Sequence, residues 1–363
     1  MSEDSRSLKD AYRMHFRKSA LLIAIITILM VVTAILSVSF AKYPLSFDES
    51  YQILVSRIHG NIPVAPPAGD YILWLKDQIV WEMNFPRAIG GVAVGVILGV
   101  GGAVMQSVVK NPLADPYTTG ISSGAMFGVT VYLVMGISII PFASGELPLI
   151  VNAFVFSLIP AGVIIFVSSF KKTSPTMMVL IGIGVMYVFS ASITLLKYTA
   201  SSDTIADIYI WGVGSIGKIT WDNIPLLLGA MAFIVISSMY MSKSINILSS
   251  GDKSAMSFGV NPFRMRIMCL TIVSVSTAVA VCFTGTIGFV GLVAPHIARM
   301  TVGSNLRYMI PCSAAVGGLM LIAADCIARH AGTTGLPVGV ITALIGSPLF
   351  LYFLIKQKKN AWS

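Results

Sequence analysis

Apolar positions in this chain neither alternate nor recur on one helical face; they come in long uninterrupted blocks. Nine runs of 17 residues or more contain no Asp, Glu, Lys or Arg: 19–41, 88–109, 117–145, 147–170, 173–196, 223–242, 267–298, 308–324 and 330–355. A helix needs ~20 mostly apolar residues to cross the hydrocarbon of a bilayer, so the blocks predict membrane spans, starting with an N-terminal helix over 19–41. The run 267–298 is 32 residues long and holds Gly285, Gly288 and Gly291, which predicts a break into two helices.

Charge chooses between nine spans and ten. Lys and Arg of short loops accumulate on the cytoplasmic side. With the N-terminus inside, nine helices put 13 basic residues inside and 11 outside, whereas ten put 17 inside and 7 outside. The expectation is therefore an all-α membrane protein of ten helices, multi-pass in the cytoplasmic membrane with both termini cytoplasmic. Residues 1–363 form one transmembrane domain. Ten of the fifteen acidic residues fall on the outer side, a second asymmetry of the same sense.

Composition sharpens what is excluded. The 363 residues are 56% hydrophobic and 11% charged, and the polar interval 42–87 is the longest. A soluble domain takes about 50–250 residues, so no catalytic domain has room, and nucleotide chemistry must come from another chain. The net charge of +9 is read as orientation and as attraction to anionic lipid, with no nucleic-acid partner. The basic N-terminus resembles a secretory signal, but its 23-residue uncharged run exceeds the usual 7–15-residue core, so it is read as an uncleaved first helix. Cys269, Cys282, Cys312 and Cys326 lie in predicted helices without a C-x-x-C pair and read as packing residues,.

Several patterns are decoys. Gly212 to Lys218 copies most of a phosphate-binding loop, but Ile219 stands where Ser or Thr must ligate magnesium,. The pairs Gly91/Gly95/Gly99, Gly124/Gly128 and Gly335/Gly339 are small-residue faces, read as dense packing within one bundle,. His296 and His330 have no partner at metal-ligand spacing and read as satisfied at helix ends; no metal site and no bound cofactor is expected. Asp325 sits one turn before Arg329, a pair that satisfies itself,.

Irregular backbone at membrane depth survives only where protein buries it or it lines a cavity. Asn111-Pro112-Leu-Ala-Asp115-Pro116, followed by Gly120-Ile-Ser122-Ser123-Gly124, is one such break. Proline stops the helix, the Asn and Asp side chains take up freed backbone groups, and the serines suit a helix cap,. Gly285-Thr-Ile-Gly288-Phe-Val-Gly291, leading to Pro295, His296 and Arg299, is the other. Matching breaks predict an inverted internal repeat of halves 86–200 and 264–356, since five crossings separate their first helices.

Phe85-Pro86-Arg87, the segment 111–124, Trp211-x-x-Gly214-Ser215 with Trp221, the segment 285–299, Leu336-Pro337-x-Gly339 and Gly346-x-Pro348 together resemble the FecCD family. Its members are ten-helix permease subunits of ATP-binding-cassette (ABC) importers for iron chelates, haem and vitamin B12. The resemblance implies import of a metal chelate, a ferric siderophore or haem, with cobalamin as the alternative. It also implies a homodimer, two cytoplasmic ATPase subunits that use the ATP, and an extracytoplasmic binding protein. The cytoplasmic loop at about 249–263, with Gly251, Asp252, Ala255 and Gly259, is similar to the family's coupling segment, although Glu is commoner at the position of Asp252. Lys172, Thr173 and Ser174 resemble the turn that narrows the inner gate. Arg87 and Arg329 match arginines that meet carboxylates of the docking protein, while Asn84 replaces a third. An ion-coupled transporter using Asp325 or Asp115 is the competing class; paired catalytic residues for an intramembrane enzyme are lacking.

Overall fold

The computed structural model describes residues 3–41, 43, 45–66, 69–170, 174–331 and 335–360, and among them there is helix and loop but no strand. α1 (Glu3–Ser37) carries no charged residue after Lys18. α2 (Phe47–Ile58) and α3 (Tyr71–Asp77) follow, and a π-helical stretch, Gln78–Asn84, joins α3 to α4 (Phe85–Val109). A 3-10 turn, Pro116–Thr119, precedes α5 (Ile121–Met135), then come α6 (Leu147–Phe170), α7 (Pro175–Tyr198) and the short α8 (Ser202–Val213). α9 (Ile224–Ser249), α10 (Asp252–Ser257), α11 (Pro262–Thr284), α12 (Val290–Val302), α13 (Leu306–His330) and α14 (Val338–Asn360) complete the chain. Seven helical stretches among the described residues are long and apolar enough to cross a membrane, and three shorter apolar helices, Ile121–Met135, Val290–Val302 and Val338–Phe353, bring the set to the expected ten.

α4 is the centre of the bundle. It is apolar all round, which marks a helix buried on every side. In the span Tyr71–Val109 the most apolar stretch is 89% buried, against 6% in α1 and 6% in α7, so the last two lie at the periphery of the bundle. Glycine sets how closely α4 meets its neighbours. A Cβ on Gly95 would lie 2.5 Å from the carbonyl oxygen of Gly317 in α13, and one on Gly102 only 1.8 Å from that of Gly291 in α12. The backbones touch there, as in membrane helix pairs built on small residues. Gly124 and Gly128 meet the backbone of α6 and Gly339 meets Val213 in the same way, so these faces pack inside one bundle.

Element ends depart from the uncharged runs for local reasons. The run 117–145 yields a helix of only 15 residues, because the 3-10 turn occupies its start and Gly136, at φ 68°, ends it. The run 267–298 splits as the charge count requires, α11 ending at Thr284 and α12 beginning at Val290. In the last run, α14 begins at Val338. The second span starts earlier than its uncharged run, at Tyr71. Lys76 and Asp77 do not stop it, because Lys76 pairs with Glu49 at 2.5 Å and the buried Asp77 accepts from Arg57 Nε at 2.7 Å. Arg57 also lies over the ring of Trp81, at 5.8 Å. A charge paired and hydrogen-bonded in this way no longer forbids burial.

Candidate functional site

The residues singled out from sequence fall into three places along the bundle. The end carrying Arg87 is called outer and the end carrying α10 inner, following the charge bias.

At the outer end Asp325, fully buried in α13, sits between two arginines. Arg87 of α4 donates Nη2 to Oδ1 at 2.5 Å and Nε at 3.1 Å, and Arg329 donates Nε to Oδ2 at 2.8 Å. Arg329 Nη1 reaches the carbonyls of Ser37 at 3.0 Å and Phe40 at 2.9 Å and Asn84 Oδ1 at 3.1 Å, while Asn84 Nδ2 donates to Val38 O at 2.8 Å. The cluster therefore stitches the end of α1 to α4 and α13. Arg87 and Arg329 differ in what they leave open, their side chains being 20% and 6% exposed. Arg329, expected beside Arg87 at the docking surface, is largely buried and hydrogen-bonded inward, and what it leaves open faces the same cavity that Arg87 lines. Arg87 lines the wall of this cavity, of about 500 Å³, together with Tyr43, Trp211, Lys218, Phe283 and Arg329, and it is the more open of the two arginines.

In the interior, the two helix breaks meet. Lys110, the residue after α4, is left-handed at φ 56°, and Asn111 Oδ1 accepts from Leu113 N at 2.9 Å. Pro112 follows at once and keeps the helix from resuming,. Asp115 Oδ1 accepts from Thr118 N at 2.9 Å and so caps the 3-10 turn that begins at Pro116. The serines expected to cap α5 do not: Gly120 holds the cap position, and Ser123 Oγ donates back to Gly120 O at 2.8 Å. In the second break Gly285, φ 67°, ends α11, and Phe289, a non-glycine at φ 68°, leads into α12. Gly288 lies between them and Gly291 in the first turn of α12, against Pro116. Tyr117 Oη accepts from Ile287 N at 3.3 Å, so one break is hydrogen-bonded to the other. Thr286 Oγ1 donates to Gly212 O, Ser215 N to Thr284 O at 2.7 Å and Gly339 N to Gly214 O at 3.1 Å. The would-be phosphate loop is thus a packed crossing of α8, the second break and α14.

His296 differs from its expectation. It lies inside α12 near Pro295, buried, with its ring 4.9 Å from that of Phe353 and Nδ1 without a hydrogen bond. His330 behaves as expected for a helix end, with Nδ1 3.1 Å from Cys326 O. Among the described residues no three His, Cys, Asp or Glu side chains converge as a metal site.

At the inner end α10 is one and a half turns long. Gly251 (φ 131°) and Gly259 (φ 76°) bracket it, and Asp252 is its first residue. Ala255 is buried against α9 and α11, whereas Met256 and Phe258 are 59% and 74% exposed. Two large apolar side chains on a loop at the basic face are the feature sequence reasoning missed; their presence inside an otherwise polar interval was the available sign. Arg266 holds Asp252 in a two-pronged pair, Nη1 to Oδ2 at 2.9 Å and Nη2 to Oδ1 at 2.6 Å, and Lys110 Nζ lies 3.4 Å from Oδ1. Arg266, and after it Lys110, keeps the Asp252 carboxyl below the usual carboxylate range. Of the expected gate turn, Lys172 and Thr173 lie outside the described residues; Ser174 caps α7, accepting from Met177 N at 3.2 Å.

A bundle of ten apolar helices with two irregular breaks hydrogen-bonded to each other, and a short exposed helix beside basic residues, has the architecture of a polytopic membrane protein. The chain belongs to the FecCD transport family, matched over residues 28–356. It is 31% identical over 345 residues to the molybdate import system permease of Haemophilus influenzae, covering 92% of this chain and 95% of that one. It is 30% identical over 343 residues to the hemin transport system permease of Yersinia pestis, covering 94% and 97%. A solved inward-facing structure of a metal-chelate type ABC transporter superposes with a TM-score of 0.78 at 28% identity, over 93% of this chain and 99% of that one. The protein is accordingly an ABC-importer permease. Relatives of near-equal identity are named for an oxyanion and for haem, so likeness alone leaves the cargo open.

Proposed function

We propose that this permease imports a metal chelate, a ferric siderophore or haem, as a homodimer driven by two cytoplasmic ATPase subunits and fed by an extracytoplasmic binding protein. The observation that carries the reading is α10. A short helix whose buried side is Ala255 and whose open side is Met256 and Phe258 suits insertion into a cleft of a second protein,. The basic loops around it mark the cytoplasmic face, where ATP is available. Gly251, Asp252, Ala255 and Gly259 are the coupling residues in this reading, and Thr173 and Ser174 belong to the inner gate. In this reading Asn111, Pro112, Asp115 and Pro116 of one break and Gly285, Gly288, Gly291, Pro295 and His296 of the other lie near the pathway. The halves 86–200 and 264–356 relate by inversion, and both termini are cytoplasmic. At the outer end Arg87 meets carboxylates of the binding protein.

The test is reconstitution of the permease with its ATPase in liposomes. Radiolabelled ferric siderophore, haem, cobalamin and molybdate are offered through the cognate binding protein. ATP-dependent accumulation of a ferric chelate or haem, unaffected by a protonophore, is the expected result. Accumulation of cobalamin or molybdate instead moves the cargo and leaves the machinery. Uptake by the permease alone that a protonophore abolishes would overturn the reading in favour of ion coupling.

A further inference from the structure

We propose that Asp252 is the joint through which the coupling helix is fastened to the two broken membrane helices, rather than a contact to the ATPase itself. The inference rests on the reading of α10 as the ATPase-facing element. Three observations carry it.

The first is direction. Met256 of α10 and Phe258, the residue that caps it, are open large apolar side chains, while Asp252 spends both carboxylate oxygens on cations of its own chain. Arg266 holds it from the second turn of α11 and Lys110 from the end of α4. Arg266 is 4% exposed and so reaches Asp252 from within the bundle. Its planar fork engages both oxygens, a geometry that fixes orientation as well as distance.

The second is strain. Lys110 is one of two non-glycine residues at positive φ among the described residues. Glycine, or asparagine, is the residue that closes a helix in this conformation without penalty. A lysine there carries a backbone cost that its fold position does not require, and outliers of this kind mark functional positions. What the lysine adds is an ammonium aimed at Asp252.

The third is where the tethered helices lead. α4 runs directly into the break at Asn111 to Pro116, and α11 ends in the break at Gly285 to Phe289, and the two breaks are joined by the Tyr117 to Ile287 hydrogen bond. A displacement of α10 is therefore delivered at once to both irregular segments. Each tether is an ion pair between helices: the Arg266 fork fixes the direction of Asp252, and the single, more open Lys110 contact is the arm that can yield without unravelling either helix.

The experiment uses the permease co-purified with its ATPase and reconstituted with the binding protein; the readouts are chelate transported per ATP hydrolysed, retention of the ATPase and melting temperature. Lys110→Gly removes the ammonium and relieves the backbone. It is expected to keep the ATPase bound, to melt at or above the wild-type temperature and to lower chelate per ATP by about threefold, the range of a partly exposed ion pair. Lys110→Arg is expected to preserve the ratio. Asp252→Asn, which leaves buried Arg266 without its counter-charge, is expected to lower the ratio by roughly tenfold, and Lys110→Gly adds nothing in that background because both act through one joint. An unchanged ratio in Lys110→Gly, or effects that multiply in the double variant, would overturn the proposal. If Asp252→Asn instead releases the ATPase, Asp252 is a partner contact and the joint is refuted while the coupling reading stands. If wild-type permease retains no ATPase, the coupling reading falls and takes the joint with it.

Discussion

The two ends of the bundle carry the same inventory, one aspartate between two cations, and put it in opposite surroundings. Asp325 is 0% exposed, with Arg329 at 6% and Arg87 at 20%. Asp252 is 44% exposed, with Arg266 at 5% and Lys110 at 33%. Removing charge from water costs several kcal/mol per ion, so a buried cluster holds only while every member is present, whereas an open pair is screened and exchangeable. The outer cluster is thus a rivet that joins three helices, and the inner one a hinge pin. One arginine in each cluster is buried, so what distinguishes them is the exposure of the carboxylate.

The largest effect expected from this contrast is at Asp325. Asp325→Asn leaves two guanidiniums facing each other without compensation, at a cost of about 3–5 kcal/mol. The same change at Asp252 costs about 1 kcal/mol, discounted for its exposure. Melting of the detergent-solubilised proteins measures both; equal losses at the two sites would erase the distinction between rivet and pin.

The second contrast lies within the outer cluster. Arg329→Glu buries a second carboxylate beside Asp325 and strips the α1 carbonyls of their donor, and is expected to abolish folding into the membrane. Arg87→Glu reverses a charge at the cavity wall, and the protein that folds is expected to bind the binding protein more weakly. High salt should weaken the wild-type complex too, because exposed pairs are screened over ~10 Å at 0.1 M. Affinity measured at low and high salt decides the matter: an Arg87→Glu protein that binds like wild type removes Arg87 from the docking surface.

Much of this architecture can be read directly from residue order. Charge is excluded from hydrocarbon, so the spans appear as uncharged runs, and the bias of Lys and Arg split 267–298 correctly at Gly285 to Phe289. What could not be read were pairings made through space. Lys76 and Asp77 counted as part of the polar interval 42–87, yet they are neutralised by Glu49 and Arg57, 27 and 20 residues away. Asp325 looked self-satisfied with Arg329, one turn on, while its partner Arg87 lies 238 positions distant. Arg329 was placed at the docking surface by resemblance, and its bonds to the carbonyls of Ser37 and Phe40, 292 and 289 positions away, could not be read from residue order. Helix ends set by backbone turns, such as the late start of α5 after Pro116, leave the apolar pattern unbroken and so were invisible to it.

A third, smaller effect concerns the stop of α10. Gly259 has φ 76° with open space where a Cβ would stand, so a side chain there meets backbone strain rather than a clash. Gly259→Val is expected to cost about 1–2 kcal/mol and to re-aim Met256 and Phe258. ATP hydrolysis by the separate ATPase should stay intact while uptake fails. Gly259→Asn, a residue that tolerates this conformation, should retain most uptake. Normal uptake by Gly259→Val would remove the coupling role of the segment.

The smallest effect separates the two arms of the inner cluster, by pH and by salt. The Asp252 carboxyl is held below its ordinary value, chiefly by Arg266. A depressed carboxylate contributes stability above the unfolded value of about 3.9 and loses it as pH falls through the lower, folded value. Between pH 8 and pH 5 this group should therefore leave stability flat, and Asp252→Asn should differ from wild type by a constant amount that disappears only in stronger acid. Salt acts on the more open arm. The Lys110 pair is 3.4 Å long between side chains 33% and 44% exposed, so raising salt from about 0.1 M to about 1 M, where screening shortens from ~10 Å to ~3 Å, should remove its contribution of up to about 1 kcal/mol,. The Arg266 pair, anchored by a side chain 5% exposed, should persist. Melting curves of wild type and Lys110→Met should accordingly converge at high salt while Asp252→Asn stays below both. If all three converge, Arg266 is as open to solvent as Lys110, and the inner aspartate has no fixed arm on which to turn.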